Sequence, residues 1–229
     1  MSMHLQRQTD RLKKMILSLS ALVEEASEGA IRAVQLRDVA LAKQIIEADD
    51  RIDLMEIEVE EECLHTLALY QPVAMDLRFV VAVLKINNDL ERIADLAVNV
   101  AEQAVFLAGM PRVEPPFDLA TMTRKVQWMI KSSLDALVNI DTALAQEVRK
   151  ADDDVDDIHR KAYTHIETQL HADPQRIEAL VHFLSISRQL ERMADHTVNI
   201  AEDVLYMARG DILRHSRPHP NRMPAPSNP

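Results

Sequence analysis

The sequence contains very little glycine and very few aromatic residues. Three glycines and an aromatic content of 3% in 229 residues are too few for a β-sandwich, a β-barrel or a nucleotide-binding loop. The segments with a helical pattern are dominated by alanine, leucine, valine, glutamate and aspartate, several of which are strong helix formers. The composition therefore predicts an all-α protein.

Cysteine, long apolar runs and positive charge are also scarce. Cys63 is the only cysteine, so no intramolecular disulfide can form, which suits a reducing compartment. No apolar run approaches the about 18 residues of a membrane span, and the first residues lack the apolar stretch of a signal peptide. The net charge of -11 argues against nucleic acid as the main partner. We expect a cytoplasmic protein without direct membrane insertion.

The chain repeats itself. The segment LERIADLAVNVAE at residues 90–102 returns as LERMADHTVNIAE at residues 190–202, with nine of thirteen positions identical. Upstream, ALAKQIIEADD at residues 40–50 aligns with ALAQEVRKADD at residues 143–153. The two halves of the chain are therefore similar in sequence, which indicates an internal duplication.

Helix boundary signals divide each half into three helices of about 30 residues. The signals are capping aspartates, prolines in a first helical turn and C-terminal glycines, at Asp38 and Asp141, Pro72 and Pro174, and Gly109 and Gly210. Short connections make neighbouring helices antiparallel. We predict two tandem three-helix up-down-up bundles at residues 1–110 and 118–212, a proline-rich linker at 111–117, and a disordered proline-rich tail at 213–229.

The third helix of each half carries a regular apolar seam. Apolar residues recur in alternating steps of three and four, the spacing of a helix packed along one face. The seam residues are Val83, Ile86, Leu90, Ile93, Ala97, Val100, Ala104 and Leu107, and then Phe183, Ile186, Leu190, Met193, Thr197, Ile200, Val204 and Met207.

Acidic pairs spaced four residues apart lie away from this seam. Asp49 lies 23 residues before Pro72 and Asp95 lies 23 after it, while Asp53 and Glu91 are each 19 residues away. Antiparallel helices would therefore bring all four residues to the same height along the bundle. The acids of the second half are matched in height in the same way. The predicted ligand set is Asp49, Asp53, Glu91, Asp95, Asp152, Asp156, Glu191 and Asp195.

Converging carboxylates repel one another and raise their own pKa values, a conflict that a bound metal ion would remove. Oxygen ligands suit Mg²⁺, Mn²⁺, Ca²⁺ or iron. A metal site in the first half is favoured over one in the second. In the second half Arg188 replaces Asn88, and His159 and Arg160 follow Asp156 by about one turn, so that basic residues compete with a metal ion for the acids. Solvated helix faces are the alternative interpretation of the acids.

The chain resembles the PhoU family of phosphate-signalling regulators through EADDRID, QPVAMDLR followed by LERIAD, and LERMADHTVNIAED. The resemblance spans nearly all of residues 5–210. It implies two three-helix bundles and a cytoplasmic role in restraining phosphate uptake and phosphate-starvation gene expression. It also implies contact with the ATPase subunit of the phosphate transporter and with the phosphate sensor histidine kinase, and metal clusters at the eight acids named above.

We therefore predict a non-enzymatic negative regulator that binds iron, Mn, Mg or Zn and forms a homodimer. A metal-dependent enzyme or metal-storage bundle stays open as an alternative, although Glu62 and His65 supply only one Glu-x-x-His motif of a ferritin-like site. A metal-free helical adaptor is a third possibility.

Overall fold

A computed structural model describes residues 3–170 and 176–210, and these residues form six helices. The helices are α1 (Met3–Leu36), α2 (Val39–Tyr70), α3 (Ala74–Ala108), α4 (Leu119–Asn139), α5 (Thr142–Leu170) and α6 (Ile177–Arg209). The all-α prediction is confirmed. The predicted tail at 213–229, including His215 and His219, lies outside the described residues.

Local sequence explains most of the helix ends. Asp38 caps α2 by accepting hydrogen bonds from the backbone N–H groups of Ala40 and Leu41, both at 3.0 Å. Asp141 caps α5 in the same way. Gly210 ends α6 with a φ of 83°, in the left-handed region that glycine enters without steric cost. The predicted caps are confirmed.

The prediction that Pro72 occupies a first helical turn is wrong. Gln71 ends α2 in a left-handed conformation, and Val73 is extended with φ −127° and ψ 160°, so α3 begins only at Ala74. The residue before a proline is disfavoured in the helical region, and the chain therefore reverses direction around Pro72 instead of entering the helix there. Pro174 lies outside the described residues.

α4 is shorter than the about 30 residues predicted from helix spacing. It has 21 residues, because it begins at Leu119 after the capping Asp118 and ends before the left-handed Ile140. Asp118 accepts a hydrogen bond from the N–H of Thr121 at 3.0 Å. The second bundle is therefore built on a shorter first helix than the 34-residue α1.

Both predicted seams lie in the core. Every seam residue of α3 and α6 is buried, including Leu90 and Leu190, and α2 and α5 bury equivalent positions such as Val59 and Ala162. Gln8 near the start of α1 hydrogen-bonds Tyr70 at the end of α2, as antiparallel neighbours require. Burial of these aliphatic seams at roughly 25 cal/mol per Å² stabilises both bundles.

The two bundles pack against each other chiefly through α3 and α6. Lys85 near the start of α3 contacts Asp203 near the end of α6 at 3.0 Å. Gln103, near the end of α3, lies 2.7 Å from His182, near the start of α6. The two helices are therefore antiparallel across the interface. None of the helices in the described part of the chain is both long and apolar enough to span a membrane.

Candidate metal centre

The first cluster consists of Asp49 and Asp53 on α2 with Glu91 and Asp95 on α3. Burial is the largest cause that raises the pKa of Asp49, to about 6. Neighbouring negative charges add to it, in the order Asp53, Asp95 and Asp50. Asp95 therefore lies close enough to Asp49, across the α2–α3 contact, for the two carboxylates to repel each other, as the matched levels predicted.

Glu91 belongs to the same electrostatic group. Burial and then the charge of Asp95 raise its pKa, whereas the guanidinium of Arg92 lowers it. Glu56 and Asp53 on α2 raise it further. Acids of α3 therefore raise the pKa of an acid on α2, and acids of α2 raise the pKa of an acid on α3.

Arg92 is closer to these acids than its helical position suggested. Successive helix positions are separated by about 100°, which points the Arg92 side chain away from Glu91 at the backbone. Its guanidinium instead contacts Glu91 Oε2 and Asp95 Oδ2, each at 3.4 Å. The long arginine side chain curls back over the helix surface and offsets part of the negative charge of the first cluster.

Glu56 is a fifth acid at the first cluster, and Asn87 holds it in place. The buried Nδ2 of Asn87 donates to Glu56 Oε1 at 2.8 Å and to the backbone oxygen of Glu56 at 3.0 Å. The predicted ligand set included neither Glu56 nor Asn87. The signal for this contact in the sequence is a polar residue, Asn87, directly after the apolar seam position Ile86.

The second cluster consists of Asp152 and Asp156 on α5 with Glu191 and Asp195 on α6. Burial is the largest cause that raises the pKa of Glu191, to about 7. The charges of Asp195, Asp156 and Asp152 raise it in that order, and Arg188 lowers it. The four predicted acids of the second half are therefore neighbours too.

A histidine replaces the fifth acid in the second half. His159 aligns with Glu56 and Ser187 aligns with Asn87. The Nδ1 atom of His159 lies 2.7 Å from Ser187 Oγ, and burial lowers the pKa of its imidazole. A hydrogen bond at Nδ1 fixes the ring and leaves Nε2 as the nitrogen that could face a metal ion.

Two further basic residues of the second half, Arg160 and His196, have contacts elsewhere. Arg160 pairs with Asp157 at 2.5 Å. His196 lies 2.8 Å from Asp89 on α3 and therefore belongs to the interface between the bundles. Neither residue neutralises the second cluster by a direct ion pair with Glu191.

The donor set fits a hard cation, but its oxygens are not gathered around one point. Within residues 3–170 and 176–210, no three His, Cys, Asp or Glu side chains form a group that could hold a metal ion as they stand. Carboxylates that repel one another rotate apart. Binding at either cluster would therefore require side-chain rotation, which partly exposed residues such as Asp49 and Glu91 permit.

The single cysteine and the Glu-x-x-His motif lie in environments that suit structural roles. Cys63 is buried, and burial raises the pKa of its thiol to about 12, which leaves it protonated and weakly nucleophilic. Glu62 is buried and pairs with Arg11 at 3.2 Å, while His65 is exposed. The single Glu-x-x-His motif is thus divided between a structural ion pair and the surface.

Known proteins match the chain over both halves. The PhoU domain family matches residues 16–104 and 119–204. The phosphate-specific transport system accessory protein PhoU homolog of Aquifex aeolicus is 36% identical over 213 residues, covering 93% of this chain and 96% of the relative.

Two solved structures share the fold. The crystal structure of PhoU from Pseudomonas aeruginosa superposes with a TM-score of 0.86 at 35% identity, covering 90% of this chain and 99% of that one. The phosphate transport system regulatory protein PhoU from Streptococcus pneumoniae gives 0.81 at 27% identity, covering 91% and 98%. The duplicated bundles are therefore PhoU domains, and the chain belongs to the PhoU family.

Proposed function

We propose that the chain is an accessory protein of a phosphate transport system and acts without catalysis as a negative regulator of phosphate uptake and phosphate-starvation signalling. It would act in the cytoplasm, as a homodimer, by binding the ATPase subunit of the transporter and the sensor histidine kinase. Support comes from relatives that are named as phosphate-specific transport accessory proteins and match nearly the whole chain. Long helical rods also offer extended surfaces for partner proteins.

Metal binding at the two clusters is part of the proposal. The observation that carries it is the placement of acids on facing helices, where burial and then the neighbouring negative charges raise the pKa values of Asp49 and Glu191. A divalent or trivalent cation, such as iron, Mn, Mg or Zn, would supply positive charge that holds α2 to α3 and α5 to α6. The residues that would hold it are Asp49, Asp53, Glu91 and Asp95, and Asp152, Asp156, Glu191 and Asp195.

A phosphate-starvation reporter in the native host tests the regulatory role. Deletion should raise reporter expression in high phosphate, and the wild-type gene should restore repression. Asp49→Asn/Asp95→Asn should restore it only partly, whereas Glu25→Gln/Glu28→Gln, which changes two exposed acids of α1, should restore it fully. Normal repression in the deletion strain would contradict the proposed role. Full complementation by the Asp49/Asp95 variant would instead favour the metal-free adaptor.

A further inference from the structure

One face of α2 is apolar although it points away from the core. Leu54, Ile57 and Leu64 are 64%, 50% and 53% exposed. With Ala68 they follow steps of three and four residues in one line, interrupted by Glu61, that we name the α2 stripe. The buried positions Ile52 and Val59 lie on the opposite side of the helix. α2 therefore has two apolar faces, only one of which packs within the bundle.

The duplicated helix shows that the fold does not require this stripe. The core positions of α2 and α5 align at a constant offset, so that Ile52 and Val59 correspond to Val155 and Ala162. At the same offset, Leu54, Ile57 and Leu64 correspond to Asp157, Arg160 and Glu167, all exposed. The same outward face is therefore polar in the second half and apolar in the first.

Acidic residues border the stripe along most of its length on α2. Residues 52–77 contain seven acidic residues and no lysine or arginine. Glu58 and Glu61 lie on the outward face, and Asp53 and Glu60 lie exposed on one flank. An apolar line bordered by carboxylates complements a helix whose own apolar line is bordered by lysine or arginine.

We infer that the α2 stripe is a docking surface for a basic amphipathic helix of a partner protein. The partner helix would lay its apolar residues on Leu54, Ile57 and Leu64 and place its cations near Glu58 and Glu61. Residues 54–68 span about 22 Å, a length that about two heptads of a partner helix would cover. The inference rests on the proposed function only in that the chain acts by binding other proteins.

Two other occupants of the α2 stripe enter as outcomes of the test. A second copy of the chain would bring one acidic α2 against another, and like charges across an interface oppose association. The chain's own C-terminal segment carries Arg214, Arg217 and Arg222 and follows Gly210, whose added Cβ would approach Arg78 to 2.7 Å. Gly210, the described residue that precedes this segment, therefore lies near the start of α3.

Titration calorimetry of the full-length chain with a synthetic peptide tests the inference. The probe is a helix of about three heptads with leucine at positions a and d and lysine elsewhere. Leu54→Ser/Ile57→Ser/Leu64→Ser should weaken binding at least about tenfold, and so should Glu58→Lys/Glu61→Lys. Val138→Ser/Tyr163→Ser/Val181→Ser, which changes exposed apolar residues elsewhere, should leave the Kd unchanged. Circular dichroism verifies that each variant is folded.

Each contrary result overturns the inference. Such results are no binding of the lysine peptide, equal binding of a peptide with glutamate in place of lysine, or an unchanged Kd in the Leu54 triple variant. Binding strengthened at least about tenfold by Arg214→Ser/Arg217→Ser/Arg222→Ser would assign the stripe to the chain's own tail. Loss of self-association in the Leu54 triple variant, measured by light scattering, would assign it to a second copy. None of these outcomes alters the reporter result that tests the regulatory role.

Discussion

The first and second clusters occupy equivalent places in the two bundles but offer different donors. In the first, the carboxylate of Glu56 is held by Asn87, whereas in the second the imidazole of His159 is held by Ser187. Imidazole nitrogen favours zinc and iron more than a purely oxygen set does. The comparison indicates that the duplicated chain retained the level and spacing of its acids while the chemistry beside them diverged.

The two clusters also differ in how their charge is balanced. Arg92 contacts Glu91 and Asp95 directly, while Arg188 lowers the pKa of Glu191 against a stronger opposing effect of burial and three acids. The pKa of Glu191 reaches about 7, and that of Asp49 about 6. Glu191 therefore stays protonated to a higher pH than Asp49, although the sequence favoured the first cluster as the cleaner site.

The largest expected effect tests whether the apolar seams of α3 and α6 contribute equally to stability. Leu90→Ala and Leu190→Ala each remove a fully buried side chain and should lower the free energy of unfolding by about 3 kcal/mol, through lost burial and a residual cavity. Urea unfolding measures the change. Leu64→Ala, on the exposed face of α2, is the control and should change it by less than about 0.5 kcal/mol. A small loss at one leucine alone would show that the halves are not packed alike.

A smaller effect is expected where the halves meet. Lys85→Met removes the ammonium that contacts the buried Asp203 and should lower the free energy of unfolding by about 2 kcal/mol, since a buried carboxylate loses a cation. Lys85→Arg keeps the charge and should recover part of the loss. If Lys85→Met is as stable as wild type in urea, the bundles do not depend on this ion pair.

The smallest expected effect is on the pH dependence of stability, which differs between the two clusters. Because the folded-state pKa of Glu191 is raised to about 7 from its usual 4.5, stability is lost as pH rises through this interval. Glu191→Gln should remove that loss, making the variant more stable than wild type at pH 8 by less than about 1 kcal/mol after solvent screening. The corresponding interval for Asp49→Asn runs from 3.8 to about 6.

Thermal unfolding in chelator between pH 4 and pH 8 measures both intervals. Asp135→Asn, which changes an exposed residue of α4, is the matched control and should follow the wild-type profile. Coincident profiles for Glu191→Gln and wild type would refute the assigned repulsion in the second cluster.

Sequence reasoning succeeded where a local rule is repeated along the chain. The seam around Leu90 and Leu190 follows from helical periodicity, and the levels of Asp49 and Asp95 follow from counting outward from one turn. It failed where the outcome depends on contacts between distant residues or on side-chain reach. The α3–α6 interface through Lys85 and Asp203 joins residues more than a hundred positions apart. No local pattern specifies such a pairing.

Side-chain conformation accounts for the other features of the site that the sequence pattern does not specify. Arg92 reaches back to its own helix because its side chain is long and flexible, which helical angles alone do not capture. The pairs Glu56 with Asn87 and His159 with Ser187 depend on how adjacent helices are rotated. The sequence pattern drew attention to His159 but not to Glu56, its equivalent in the first half.

Metal stoichiometry tests the central claim, that the duplicated carboxylates bind cations, most directly. Metal-free chain should be titrated with Mn²⁺ and then Zn²⁺ in a calorimeter. Asp49→Asn/Asp95→Asn and Asp152→Asn/Glu191→Gln should each remove about half of the bound Mn²⁺, and the variant that keeps the His159 side should show the stronger preference for Zn²⁺. Unchanged stoichiometry in both variants would contradict the account.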